Sequence, residues 1–205
     1  MDAAAWDERY AATALVWSAT PNQFVERDLA GLPPGRALDL ACGEGRNARW
    51  LASRGWRVTA LDFSAVAVDK GRAAAEEQGV GVDWRVGDAL TAPLPDDLDL
   101  VVVAYLHLPP HQRTTVVRRA VAALGAGGHL HLVGHDLSNL TDGVGGPQDA
   151  TVLCTAADVL ADLQGPGAVP VEVLHADRVP RTVPAADGHG PAGTAWDVLV
   201  HVRRT

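Results

Sequence analysis

Cysteine is almost missing from this chain of 205 residues: Cys42 and Cys154 are the only two. Neither a disulfide framework nor a thiolate metal site can be built from them, and both read as buried thiols. Metal-ligand spacings are missing as well, since there is no H-E-x-x-H, no paired C-x-x-C and no carboxylate cluster, so no metal is expected. Long apolar runs do not occur either, which excludes a helical membrane span. The N-terminal stretch MDAAAWDERY lacks the basic and apolar regions of a secretory signal, so the expected location is cytoplasmic. Positive charge is in deficit, with 17 Lys and Arg against 25 Asp and Glu, a formal net charge of −8. Such a chain repels a phosphate backbone unless its basic residues gather on one face, and no basic run is visible. A nucleic-acid partner is therefore not expected, nor is a membrane.

What the chain does have is an apolar fraction of 47%, enough for one sizeable core, and residues 1–205 read as a single domain. From Arg36 onward strand-like and helix-like stretches alternate, the pattern of a parallel sheet covered by helices on both faces. The expected strands are 37–41, 58–62, 82–86, 98–105 and 129–134, and their near-continuous apolar character suits burial on both faces. Ser64 and Thr155 are candidate helix N-caps, and Gly79 and Gly125 candidate stops. After Gly165 two β-rich runs, VPVEVLHADRVPRTV and TAWDVLVHVRR, follow one another without a helix, which predicts a closing antiparallel hairpin. Before the first strand, residues 1–35 read as a helical lid. Its aromatics Trp6, Tyr10, Trp17 and Phe24 serve equally well to cover one sheet face. The oligomeric state, monomer or homodimer, is not legible.

The most informative segment is LDLACGEGRN (38–47), a strand running into a glycine-rich turn and then a helix. Gly43 and Gly45 let the backbone turn tightly and lie against a ligand. With Ala48 they satisfy G-x-G-x-x-G/A, so spacing alone admits a nicotinamide dinucleotide. The acids argue otherwise. Asp39 and Glu44 repel a pyrophosphate but suit a cationic ammonium or sulfonium, and S-adenosylmethionine carries both. Asp62, ending the second strand, is placed to accept hydrogen bonds from ribose hydroxyls, and Asp88, after the third, from an adenine amino group, with Phe63 and Ala89 flanking the ring. Asp62 serves equally well to cap the helix near Ser64, and Asp88 to organise a turn. Three acids at the carboxyl ends of consecutive strands nonetheless mark where open α/β sheets bind ligands.

The ordered motifs LDLACGEGR, VTALDFS, VGDAL and DLDLVVVAYLHLP, spanning residues 36–135, resemble those of class I S-adenosylmethionine-dependent methyltransferases. Within that superfamily WDERY, WSATPN, GEGRNARWLASRGW and GHDLSNL are similar to the tellurite-resistance-type and thiopurine-type small-molecule enzymes. The resemblance implies a Rossmann-like, doubly wound, seven-stranded sheet, mainly parallel, with the last strand antiparallel. It implies that the turn of Ala41, Cys42, Gly43 and Gly45 cradles the methionine part with Asp39 nearby, and that Tyr105 and Leu106 border the methyl group; Asn47, Phe63 and Ser64 complete the expected cofactor-binding set. By the same resemblance Trp6, Tyr10, Trp17 and Asn22 close over cofactor or acceptor.

Methyl transfer from a sulfonium is an in-line displacement with an activated leaving group, so a dedicated base is optional. His107, in YLHLPP, is the first acceptor-side candidate, or else a turn histidine bonded to backbone. His135 comes next, with Asp136 as a possible orienting carboxylate, and Arg181 is placed to meet an anionic acceptor or to sit solvated. His111 reads as a surface residue, and His129, His131 and His201 as lining a sheet face. The expected function is transfer of a methyl group to a small-molecule acceptor. The alternatives are an NAD-dependent oxidoreductase and a cofactor-binding regulatory protein without activity.

Overall fold

The computed structural model describes residues 3–13, 16, 18–184 and 192–205, and every structural statement concerns these. Trp17 and residues 185–191, where the sequence predicts a turn, lie outside them. Seven strands form one sheet: β1 (Arg36–Leu40), β2 (Arg57–Asp62), β3 (Val82–Val86), β4 (Leu98–Ala104), β5 (Leu124–His135), β6 (Val171–Val183) and β7 (Gly193–Arg204). Their order is β3-β2-β1-β4-β5-β7-β6. All neighbours are parallel except β7, which runs antiparallel to both β5 and β6. The order reverses between β1 and β4, and the crevice at their carboxyl ends is where such sheets hold ligands.

Successive residues of the central strands point to opposite faces, and both faces are apolar. Leu38, Leu40, Val101, Val103, Leu130 and Leu132 pack on one side, where α5 (Pro110–Ala122) contributes Val116, Val117, Ala120 and Val121. Ala37, Val58, Ala60, Leu100 and Val102 face the other, under α3 (Arg46–Ser53) and α2 (Gln23–Leu29). Ser64 caps α4 (Ala65–Gln78) by accepting from Ala67 N, and Gly79 ends it in the left-handed region at φ 67°. Thr155 forms a capping box with Asp158 at the start of α7 (Ala156–Asp162).

Two expectations change. Gly125 does not stop α5: the helix ends at Ala122, Ala123 caps it, and Gly125 lies inside β5, which starts five residues earlier than expected. The N-terminal segment is also two things rather than one lid. Phe24, Val25 and Leu29 of α2 belong to the sheet core. Trp6 and Tyr10 of α1 (Ala3–Ala11) instead pack with Val16, Val66 and Ala67 on α4.

Candidate active site

The chain leaves β1 through a turn held in the left-handed region at Ala41 (φ 59°), Gly43 (φ 55°) and Gly45 (φ 68°). Tyr105, the first residue after β4, is also left-handed at φ 57°. A side chain in that region costs of order 1–3 kcal/mol and persists where surrounding structure enforces it. Ala41 and Tyr105 thus place strain at the carboxyl ends of two adjacent strands, on either side of the point where the order reverses. Gly45 has a further duty that the sequence reading missed. A Cβ there would collide with the Trp84 ring, so its bareness also serves packing of the turn and α3 against β3.

Asp39 is 1% exposed, accepts from Ala48 N at 2.9 Å, and is pushed up to about 7, chiefly by burial, with the nearby Asp62 adding to the rise. A buried acid in that condition ionises most readily beside a cation. Asp62 binds both sides of the turn: Gly43 N donates to Oδ2 at 2.8 Å and Ser64 N to Oδ1 at 2.9 Å. It is also raised, again by burial first. Two backbone donors use only part of a carboxylate's acceptor capacity, which leaves room for a hydroxyl. Asp62 therefore does not cap α4 itself but holds Ser64, the residue that does.

Asp88 is exposed and accepts from Leu90 N at 2.8 Å, organising the turn after β3 at the same sheet edge. Phe63 is half-buried and Ala89 buried, while Leu106 packs against the core. Cys42 is half-buried, not fully buried as expected; burial pushes its thiol up, so it stays protonated. Cys154 is buried. Asn47 takes the backbone N–H of Asn22 on its Oδ1 at 2.9 Å, fastening the start of α2 to the turn.

Glu44 does not do what its place between the glycines suggested. It is 4% exposed, takes Val16 N on Oε2 at 3.0 Å, and pairs with Lys70 Nζ at 2.5 Å. Its charge is met by protein.

Beyond β4 and β5 a second group converges. The Tyr105 hydroxyl donates to Asp197 Oδ2 at 2.7 Å and accepts from Asn22 Nδ2 at 3.3 Å. Arg181 Nε donates to the same Asp197 oxygen at 2.7 Å, and its Nη2 lies 3.4 Å from His135 Nε2. His135 Nδ1 lies 3.1 Å from His107 Nε2, which also receives the backbone N–H of His135 at 3.4 Å. A backbone N–H only donates, so His107 Nε2 is an acceptor and His135 Nδ1 carries the hydrogen. His135 Nε2 then accepts from Arg181. Donation runs in one direction, from Arg181 through His135 to His107, and leaves His107 Nδ1–H without a protein partner among the described residues.

Burial lowers both imidazoles to about 4, with the neighbouring His135 lowering His107 further and the Arg181 charge lowering His135. Both are neutral at pH 7. Three candidates named from sequence, His107, His135 and Arg181, thus meet, together with Tyr105 and Asn22. Asp136 does not orient His135: its Oδ1 accepts from Ser138 N and Oγ at 2.9 and 2.6 Å. His111 is exposed, and His129, His131 and His201 line a sheet face as expected, His131 meeting Asp28 at 3.0 Å.

Two members escaped the sequence reading. Asp197 is fully buried, and the available signal was one acid within the apolar run AWDVLVHV. Arg46, which donates to Ser18 Oγ at 2.8 Å, feels the fields of Tyr105, Asp39 and Arg181 and so lies between the two groups.

A strained glycine-rich turn with buried acids at the β1/β4 crevice, in a 3-2-1-4-5-7-6 sheet, defines a Rossmann-like adenosyl-binding domain. Residues 37–128 match the model of a methyltransferase domain. A thiopurine S-methyltransferase of Pseudomonas putida is 30% identical over 173 residues, covering 72% of this chain and 77% of the relative. A ribosomal RNA small subunit methyltransferase C of Alcanivorax borkumensis is 36% identical over 105 residues, 49% of this chain, and the chain spans only 32% of that relative's length. Among solved structures, one described as the conversion of a disulfide bond into a thioacetal group during echinomycin biosynthesis aligns over 98% of this chain and 91% of its own, with 22% identity and a TM-score of 0.76. The chain belongs to the class I S-adenosylmethionine-dependent methyltransferases.

Proposed function

We propose that the protein binds S-adenosylmethionine in the β1/β4 crevice and transfers its methyl group to a small-molecule acceptor. The carrying observation is the arrangement of two groups at one sheet edge: buried Asp39 and Asp62 at the ends of β1 and β2, and the Tyr105, Asp197, Arg181, His135 and His107 network beyond β4 and β5. The donor set fits the cofactor, since Asp39 gains a cation to ionise against and Asp62 keeps acceptor capacity for ribose hydroxyls. The turn from Ala41 to Gly45 would hold the methionine part, with Phe63 and Ala89 flanking the adenine. When bound, the cofactor supplies an electrophilic methyl on a sulfonium.

The protein's own residues then orient and desolvate. His107 and His135, neutral and with both basic nitrogens engaged, are poor bases at pH 7, and His107 offers the acceptor an N–H instead. That favours an acceptor whose nucleophilic atom is already electron-rich. A small molecule is favoured because the thiopurine relative aligns through most of its length, whereas the ribosomal RNA relative aligns through a third. The net charge of −8 points the same way.

Isothermal titration with S-adenosylhomocysteine tests the first half; absence of binding at sub-millimolar concentration overturns it. Transfer of labelled methyl to a panel of small thiols, phenols and amines, run beside small ribosomal subunits, tests the second. Labelling of ribosomal RNA alone would replace the small-molecule reading by a nucleic-acid one.

A further inference from the structure

Lys70 is the only lysine in the chain; every other basic residue among the 17 is arginine. It lies on α4, away from the acceptor network, and its side chain is 25% exposed. The ammonium has three donors, and all three are used: Glu44 Oε1 at 2.5 Å, Tyr10 O at 3.0 Å and Thr13 O at 2.8 Å. The two carbonyls close the end of α1, where unpaired carbonyls favour a cation. The carboxylate belongs to the residue between the two left-handed glycines of the turn. Glu44 in turn holds Val16 N, further along the same N-terminal segment.

The other half of α1 is pinned in parallel. Asp7 Oδ1 accepts from Ser64 Oγ and from Val66 N at 3.2 Å, at the start of α4. Ser64 N donates to Asp62, the acid proposed for the ribose. These two attachments of α1 therefore run, through one intermediate side chain each, into the elements that would hold the cofactor. A tetrahedral ammonium can serve one carboxylate and two carbonyls at a single point; a planar guanidinium spreads its donors over a wider fork.

We infer that Lys70 is a positioning residue for the adenosyl ligand: its ammonium ties the N-terminal segment to the glycine turn, so that seating the segment and binding the ligand are one coupled event. The inference rests on the proposed cofactor site. Coupling of this kind is reciprocal: the ligand stabilises the seated segment by the factor by which the seated segment favours the ligand. Trp6 and Tyr10 lie on the segment that Lys70 holds and pack on the same α4.

The test compares wild type with Lys70→Met, which keeps the stem and removes the charge. Two readouts are taken: S-adenosylhomocysteine affinity by titration calorimetry, and the rate of tryptic cleavage after the exposed Arg9. Expected in wild type is slower cleavage on adding ligand, together with slower acylation of Lys70, the one side-chain amine to be labelled. In Lys70→Met, cleavage rises about tenfold and affinity falls about tenfold, and Lys70→Arg recovers only part of either. Unchanged cleavage in Lys70→Met, or faster cleavage with wild-type affinity, overturns the inference. Should Lys70→Met not fold, Asp7→Asn loosens the opposite end of α1 without touching the turn. It is expected to move both readouts in the same direction, and no movement in either overturns the coupling. A wild type that binds no S-adenosylhomocysteine would sink the cofactor reading itself, while the Arg9 cleavage comparison would still report whether Lys70 seats the segment.

Discussion

Tyr105, just after β4, donates its phenolic hydrogen to Asp197 of β7 at 2.7 Å, across the end of β5 that lies between their strands. Asp197 is completely buried and also carries Arg181 at 2.7 Å, so one carboxylate joins the parallel half of the sheet to the antiparallel hairpin at the acceptor end. Burial raises the phenol further from ionisation, and the Asp197 charge adds to this, so the hydroxyl stays a donor.

Asp197→Asn removes the charge opposite Arg181 and leaves the guanidinium without its counter-ion. The Arg181 side chain is 23% exposed, so the loss should fall below the ~3–5 kcal/mol of a fully buried pair, at about 2–3 kcal/mol. Urea unfolding measures it. The double variant Asp197→Leu, Arg181→Met is expected to recover most of that stability but not turnover. Recovery of both would show that the pair only holds the hairpin.

Cofactor affinity should depend on the ionisation of Asp39. Burial raises its folded value to about 7 from the ordinary 3.8. The unliganded protein therefore carries the acid protonated below pH 7, and a cationic ligand must displace that proton to bind. Affinity rises with pH through 7, and for a single site at that value it should be about tenfold weaker at pH 6 than at pH 8. The same shift makes unliganded stability fall as pH rises from about 4 to 7, since the folded state holds the extra proton. Calorimetry with S-adenosylhomocysteine at both pH values checks the first effect. In Asp39→Asn the pH dependence should vanish, and a pH-independent wild type would remove Asp39 from the ammonium role.

Asp62→Ala deletes the acceptor of Gly43 N and Ser64 N together. Loss of two buried bonds to a charged group is expected to weaken S-adenosylhomocysteine binding by about 1–3 kcal/mol. Lys70 labelling should also accelerate, because Ser64 links this acid to Asp7. Unchanged affinity would leave Asp62 a purely structural cap.

Much of this site was legible because it depends on local grammar. Strands ending in Asp39 and Asp62, glycines where the chain must turn left-handed, and Ser64 as a cap are all short-range signals. The approach of His107, His135 and Arg181 was legible in part, since strand alternation places the ends of β4 and β5 at one edge. What sequence withheld was pairing between distant side chains. Nothing local distinguishes Asp197 from a solvated acid, and the adjacency of His135 and Asp136 suggested a partnership that the chain directs elsewhere. Glu44 was misread for a similar reason, because its partner Lys70 is brought to it only when α4 packs on β2 and β3. Gly45 likewise has a second reason for its bareness in Trp84, a residue on β3.

His107 and His135 should remain neutral well below the ordinary imidazole range. Burial lowers both to about 4, so between pH 4 and 6.5 the unfolded chain binds protons that the folded chain refuses. Stability attributable to them is complete above pH 6.5 and is lost as pH falls toward 4. His107→Gln, which keeps a donor and removes one titrating ring, should therefore lose less stability between pH 7 and pH 5 than wild type, by on the order of 1–2 kcal/mol. Long-range proton–nitrogen spectra of the imidazoles give the second check. At pH 7 both rings should carry hydrogen on Nδ1, as the one-way donation from Arg181 requires. A His107 ring protonated on Nε2, or titrating near 6.5, would return it to the role of a general base and would make the acceptor a group that needs deprotonation.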